Sequence, residues 1–106
     1  MTTKERAISS LQNLHDFFEA HQVLGWANST KRAMYKLQEE DTDIVEVLYN
    51  FVGVGMGSLI DLVICKANGH HLVLSEQETE RQLMSLAKPV LEILYALQKS
   101  RARKNN

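Results

Sequence analysis

Apolar residues recur every three or four positions over long stretches of this chain, which is the spacing of one face of an α-helix. The first such segment spans about residues 3–21. Its apolar stripe consists of Ile8, Leu11, Leu14 and Phe18. A second stripe covers about 26–39, and Gly25 before it can adopt the left-handed conformation that ends a helix. The pattern therefore predicts two helices with Gly25 in the turn between them.

A third helix is predicted to begin at Asp43, because Asp43 and Glu46 have the spacing of a capping box. The apolar positions that follow are Ile44, Val47, Leu48 and Phe51. Glycines then alternate with other residues at Gly53, Gly55 and Gly57. Since glycine is unfavourable inside a helix, this helix is expected to end at Gly53.

The segment after the glycines allows two interpretations. Ser58 and Asp61 form a capping signature that would start a short helix over 59–67, ended by the Asn-Gly pair that follows. The same pair could instead be the type I′ turn of a β-hairpin between 62–67 and 70–74. The helix is favoured, because an isolated hairpin is only marginally stable.

The last helix has the clearest pattern, and Ser75 with Glu78 forms a capping box at its start. Its stripe consists of Leu83, Leu86, Val90, Leu94 and Leu97. Pro89 lies inside this stripe, so a kink is expected there. We expect one helical domain over 1–98, followed by a flexible basic tail over 99–106.

These elements predict an all-α fold, a compact bundle of four or five helices joined by short loops. A chain of 106 residues with 44 % apolar and 24 % charged residues has the composition of one globular domain. The predicted core consists of Leu11, Leu14, Phe18, Trp26, Leu37, Leu48, Phe51, Leu62, Leu86, Val90 and Leu94.

Charge and cysteine content restrict the classes of partner and compartment. The 12 basic and 13 acidic residues nearly cancel, so no overall field favours nucleic acid or an anionic membrane. The single cysteine, Cys65, excludes an intramolecular disulfide, and the N-terminal segment lacks the apolar stretch of a signal peptide. The apolar-rich stretch 59–67 is too short to span a bilayer. We therefore expect a cytoplasmic protein.

No residue pattern favours catalysis, a metal or a cofactor. Cys65 could be combined with a histidine and Asp61 as a nucleophilic set, but it lies in an apolar segment, and buried thiols are usually inert. His70 and His71 are adjacent, so on a strand they would point in opposite directions. The expectation is a protein that is not an enzyme and holds no metal or cofactor.

Acidic residues are concentrated in one short run that is the main candidate for partner binding. The run consists of Glu39, Glu40, Asp41, Asp43 and Glu46. It can dock a basic protein, because complementary charge accelerates association. It can also be a solvated junction between two helices, with Asp43 favourable at the next helix N-terminus.

A second candidate site is the glycine loop, consisting of Gly53, Gly55, Gly57, Ser58 and Asp61. Bare backbone beside a helix N-terminus can bind an anion. The spacing fits neither a P-loop nor a dinucleotide fingerprint, so a tight interhelical turn is the alternative that the pattern favours. The basic tail contains Arg101, Arg103 and Lys104, which is fewer basic residues than a nucleic-acid site needs, and it lacks interleaved aromatic residues. We therefore expect it to be a solubilising segment.

Several of these features together resemble a group of short bacterial all-helical proteins of unassigned function. They are Gly-Trp-Ala at 25–27, Gly-Met-Gly-Ser-x-x-Asp-Leu at 55–62 and Asn-Gly at 68–69. The chain departs from the group at 59–60, where Leu-Ile replaces an aromatic and a polar residue, so Ile60 cannot supply that polar group. Small helical proteins of this kind are often immunity proteins that neutralise toxins, and the resemblance implies that function as an expectation.

The sequence thus predicts a protein-binding module, in its specific form an immunity-type protein that binds a basic toxin. One alternative is a homodimeric structural or regulatory module that associates through Tyr95 or Leu97 of the last helix. Another is an anion-binding domain that uses the glycine loop.

Overall fold

The computed structural model of this chain describes residues 1–53, 59 and 75–104. These residues contain four helices. They are α1 (Thr3–Ala20), α2 (Leu24–Leu37), α3 (Ile44–Val52) and α4 (Glu76–Lys104). The predicted all-α fold is confirmed. None of the helices in the described ranges is both long and apolar enough to cross a membrane.

The helices pack around one apolar core. Helix α1 packs against α2 and α4, and α3 also packs against α2 and α4. The predicted core residues that are buried are Leu11, Leu14, Phe18, Leu37, Leu48, Phe51, Val90 and Leu94. Trp26 and Leu86 are only partly buried against this core, and Leu62 lies outside the described residues. Burial of each Leu or Phe side chain contributes about 1.5–3 kcal/mol, so the amphipathic stripes hold the fold together.

Side-chain caps begin three of the helices. Thr2 Oγ1 accepts a hydrogen bond from the Glu5 amide at the start of α1. Asp43 caps α3 by accepting from the amides of Val45 and Glu46. Ser75 Oγ accepts from the amide of Glu78 at 3.1 Å. The predicted starts of α3 and α4 are therefore confirmed, and the first residue of each predicted capping box accepts the amide hydrogen bond expected of an N-cap.

The turn between α1 and α2 differs from the prediction. Gly25 does not end α1; it lies in the first turn of α2, which begins at Leu24. The left-handed residue is Gln22, with φ 56°. Its amide donates to the Glu19 carbonyl at 3.0 Å, and the amide of Val23 donates to the Phe18 carbonyl at 2.8 Å. This is the Schellman pattern, placed here by the burial of Val23 rather than by a glycine.

Helix α4 is the longest element, with 29 residues. At about 1.5 Å per residue it spans most of the molecule's longest dimension, 46 Å. Pro89 lies inside it. The helix continues over 99–104, the segment that the sequence predicts to be a flexible tail. The reason is tertiary, because Arg101 in this segment forms an ion pair with Asp43 of the α3 cap.

Candidate functional site

A surface groove with a volume of about 900 Å³ lies between α2 and α3. One side is formed by a helical row on α2 that includes Trp26, Ser29, Arg32 and Lys36. The other side is formed by α3, and the loop between the two helices closes one end. All five residues of the acidic run line this groove. They are Glu39, Glu40, Asp41, Asp43 and Glu46.

The loop that carries the acidic run is held by hydrogen bonds to the last turn of α2, within the loop itself and to α1. The Thr42 hydroxyl lies 2.7 Å from the carbonyl oxygen of Lys36 and 2.8 Å from that of Glu39. Lys4 Nζ of α1 donates to the same Glu39 carbonyl at 3.1 Å. Asp41 adopts a left-handed backbone with φ 60°, which lets the chain reverse direction. The loop therefore presents its carboxylates from a defined backbone.

Asp43 has a structural role within this run. Its carboxylate caps α3 and accepts two hydrogen bonds from the Arg101 guanidinium, at 2.9 and 3.3 Å. The hydrogen bond from Arg101, followed by that from the Glu46 amide, lowers the pKa of Asp43 below its ordinary value. The same pair raises the pKa of Arg101. Asp43 thus joins the start of α3 to the end of α4, and its charge is compensated within the fold.

The other four carboxylates of the run are exposed. Glu39, Glu40, Asp41 and Glu46 form no ion pair within 4.0 Å with any side chain in the described part of the chain. A cation brought into the groove could therefore pair with them without first breaking an internal salt bridge.

Arg32 and Lys36 also line the groove, although the sequence pattern did not indicate them as site candidates. They lie four positions apart on α2, off its apolar stripe, and both are exposed. The guanidinium of Arg32 reaches Ser29 Oγ at 3.4 Å, a weak contact. Their helical spacing is the one sequence signal that could have placed them on a common face. Counted over the residues that the structure describes, the groove carries two cations and four carboxylates without an ion pair, an excess of negative charge.

Apolar side chains form the base of the groove. Phe51 and Ala33 are buried, and Trp26 and Val47 are partly buried beside them. The Trp26 ring packs edge-to-face on Phe51, with centroids 5.7 Å apart and an interplanar angle of 89°. This base can accept an apolar side chain, while the charged rim can pair with polar groups on either side of it.

The remaining sequence candidates are only partly covered by the described residues. Gly53 lines the end of the groove and has φ 77°, as expected for the glycine that ends α3. Gly55, Gly57, Ser58 and Asp61 lie outside the described residues. Within the described part of the chain, no three His, Cys, Asp or Glu side chains are grouped so that they could hold a metal ion.

Comparison with protein-family models, curated proteins and solved structures finds no match for this chain. The resemblance to short bacterial helical proteins stays a prediction from sequence.

Proposed function

We propose that this chain is a module that binds another protein through the groove between α2 and α3. The observation that carries the proposal is a set of exposed carboxylates at the rim of an aromatic-based groove, none of which forms an ion pair with another described residue. They are Glu39, Glu40, Asp41 and Glu46. A basic partner surface would be attracted over several ångströms and would find groups free to pair with it. Neither catalysis nor a cofactor is part of this proposal.

In its specific form, the proposed module is an immunity-type protein that acts in the cytoplasm. It would bind a cognate bacterial toxin and block the toxin's active site or substrate path. Support comes from the acidic rim, because a toxin that acts on nucleic acid would carry a basic surface complementary to it. Rapid association, which electrostatic attraction provides, suits a neutralising protein.

Self-association through α4 is a second candidate function. Met84 and Tyr95 are eleven positions apart on α4, which places them on the same side of the helix, and they are 46 % and 54 % exposed. Leu97, the other residue expected at such an interface, packs partly against the core. A dimer that dissociates when Tyr95 is replaced by Ser would support this function, and a monomer at high micromolar concentration in sedimentation experiments would exclude it.

The main proposal is tested by capture of the tagged protein with its partner from native cells, followed by charge reversal. We expect Glu40→Lys with Glu46→Lys to slow association with the captured partner about tenfold or more at low salt, with a smaller change in dissociation rate. Asp41 is left unchanged because a substitution at its left-handed backbone could alter the loop conformation. Asp43 is left unchanged because its ion pair with Arg101 contributes to the fold.

The matched control is Glu76→Lys with Glu80→Lys. These residues are exposed on α4 and do not line the groove, and Glu76 lies in the first turn of α4 as Glu46 does in α3. The control therefore changes the net charge of the protein by the same amount as Glu40→Lys with Glu46→Lys. It also places a lysine in the first turn of a helix, as that variant does. If both double variants slow association to the same extent, the acidic rim is not the docking surface.

A further inference from the structure

The groove combines features that together specify one kind of occupant. Among the described residues, its rim carries two cations and four carboxylates that form no ion pair. Its base is formed by partly buried or buried apolar residues, Trp26, Val47 and Phe51. An acidic rim alone would attract any cation. A polar rim around an apolar base selects a segment that offers both charge and an apolar side chain.

The size of the groove limits how much of a partner can enter. A volume of about 900 Å³ matches a pocket for a few side chains and not a complete protein interface. The groove residues on α2 have helical spacing, so they lie on one side of the helix; they include Trp26, Ser29 and Lys36. The apolar base and the charged rim are therefore adjacent along this helix. An occupant with an apolar residue flanked by charged ones would meet both at once.

We infer that the groove binds a basic segment of the partner that places one aromatic or aliphatic side chain against Trp26 and Phe51, with lysine or arginine side chains beside it paired to Glu40 and Glu46. This inference rests on the proposed function and adds the chemistry of the recognised segment. The apolar side chain provides contact area at the desolvated base of the groove. The cations orient the bound segment and increase its association rate.

The charge balance decides the sign of the flanking residues. Arg32 and Lys36 could attract an acidic segment, but the free carboxylates at the rim outnumber them. Asp43 adds no free charge, because Arg101 compensates it. A basic segment is therefore preferred, and Arg32 and Lys36 oppose occupants that are basic along their entire length.

Trp26 supplies the direct readout, because it is the only tryptophan of the chain and it lines the groove. The probes are three capped pentapeptides: phenylalanine between two pairs of arginines, the same peptide with glycine for phenylalanine, and phenylalanine between two pairs of glutamates. At millimolar concentration the first should change Trp26 fluorescence and shift backbone amide signals of α2 and α3. The glycine peptide should bind about tenfold more weakly. The glutamate peptide should leave the groove signals unchanged.

Two single substitutions locate the binding site. Ser29→Phe fills the groove from its α2 side without removing a charge, and we expect it to weaken binding of the arginine–phenylalanine peptide about tenfold or more. Ser9→Phe makes the same change at an exposed position of α1 outside the groove, and it should leave binding unchanged. Thermal melts of both variants verify that each is folded.

Several results would each overturn the inference. They are equal binding of the glycine and phenylalanine peptides, equal binding of the glutamate peptide, and amide shifts confined to residues outside α2 and α3. An absence of any response at millimolar peptide would overturn it as well. Its failure is distinguishable from failure of the proposed function. The distinguishing result is a captured partner that associates more slowly with the Glu40→Lys and Glu46→Lys double variant but binds the Ser29→Phe protein as tightly as the original chain. That result refutes the groove occupant and leaves the acidic rim as the docking surface.

Discussion

At the scale of single residues, two non-glycine residues in the described part of the chain have a left-handed backbone, Gln22 and Asp41. Both are turn residues, one after α1 and one before α3. Asp tolerates this conformation because its short polar side chain can bond locally, whereas Gln has no such advantage. Gln22 holds the position because the neighbouring Val23 is buried, so tertiary packing outweighs the local backbone cost.

Replacement of Gln22 by glycine should stabilise the protein. Gly removes the Cβ clash at the left-handed position, a gain that its greater freedom in the unfolded chain partly offsets. We expect the free energy of unfolding in urea to rise by about 0.5–1 kcal/mol. Gln12→Gly, at an exposed position inside α1, should instead lower it by about 1 kcal/mol. A loss of stability in the Gln22→Gly variant would contradict the assigned turn.

At the scale of elements, α4 is a long helix that continues past a proline. Pro89 is exposed and cannot donate the backbone hydrogen bond that the Ser85 carbonyl would otherwise accept. Buried residues occur on both sides of it, at Ala87 and Val90, so packing against the core holds the helix through this point. Packing of its amphipathic stripe therefore stabilises α4, although Pro89 is unfavourable within a helix.

Pro89→Ala should therefore stabilise α4. It restores the backbone donor and removes the contact of the proline ring with the preceding turn, and we expect a rise of about 1–3 kcal/mol in the free energy of unfolding. Lys88→Ala, at the exposed neighbouring position, should change this quantity by less than about 0.5 kcal/mol. Chemical denaturation measures both. Equal stability of the original chain and the Pro89→Ala variant would show that the helix has already adapted to the proline.

At the scale of the whole molecule, one ion pair connects parts of the chain that are 58 positions apart. Arg101 near the end of α4 binds Asp43 at the start of α3. The pair is partly exposed, with Asp43 39 % and Arg101 54 % accessible, so salt and solvent weaken it. Its importance is geometric, because it brings the last turns of α4 to the edge of the groove.

This ion pair should make stability depend on pH in the acid range. The pKa of Asp43 is lowered in the folded state, so its contribution is present above the ordinary value of 3.8 and is lost as the pH falls through the folded-state pKa below that value. Asp43→Asn retains a capping side chain but loses the charge. Its melting temperature should be lower than that of the original chain at pH 7, and the difference should vanish when Asp43 is protonated.

Two arginine variants provide the comparison for this test. Arg101→Gln should lower the melting temperature at pH 7 and should add little to Asp43→Asn in the double variant, since both changes remove one interaction. Arg103→Gln, at an exposed position two residues later, should have no effect. Additive effects of Asp43→Asn and Arg101→Gln would mean that the two side chains act independently.

Local sequence determined the fold class and most helix boundaries. The periodic stripes of α1, α3 and α4, the caps at Asp43 and Ser75, and the stop at Gly53 all depend on interactions between residues a few positions apart. Such interactions are the same wherever the segment lies in the fold, which is why spacing alone reveals them.

Only the tertiary structure decided the turn at Gln22, the continuation of α4 over 99–104 and the composition of the groove. The sequence indicated an acidic run, but it could not show that Arg101 compensates Asp43 or that Arg32 and Lys36 share the groove with the remaining carboxylates. These relations depend on how the helices pack. Packing brings together residues that are far apart in the sequence, and their spacing along the chain does not predict that they are in contact.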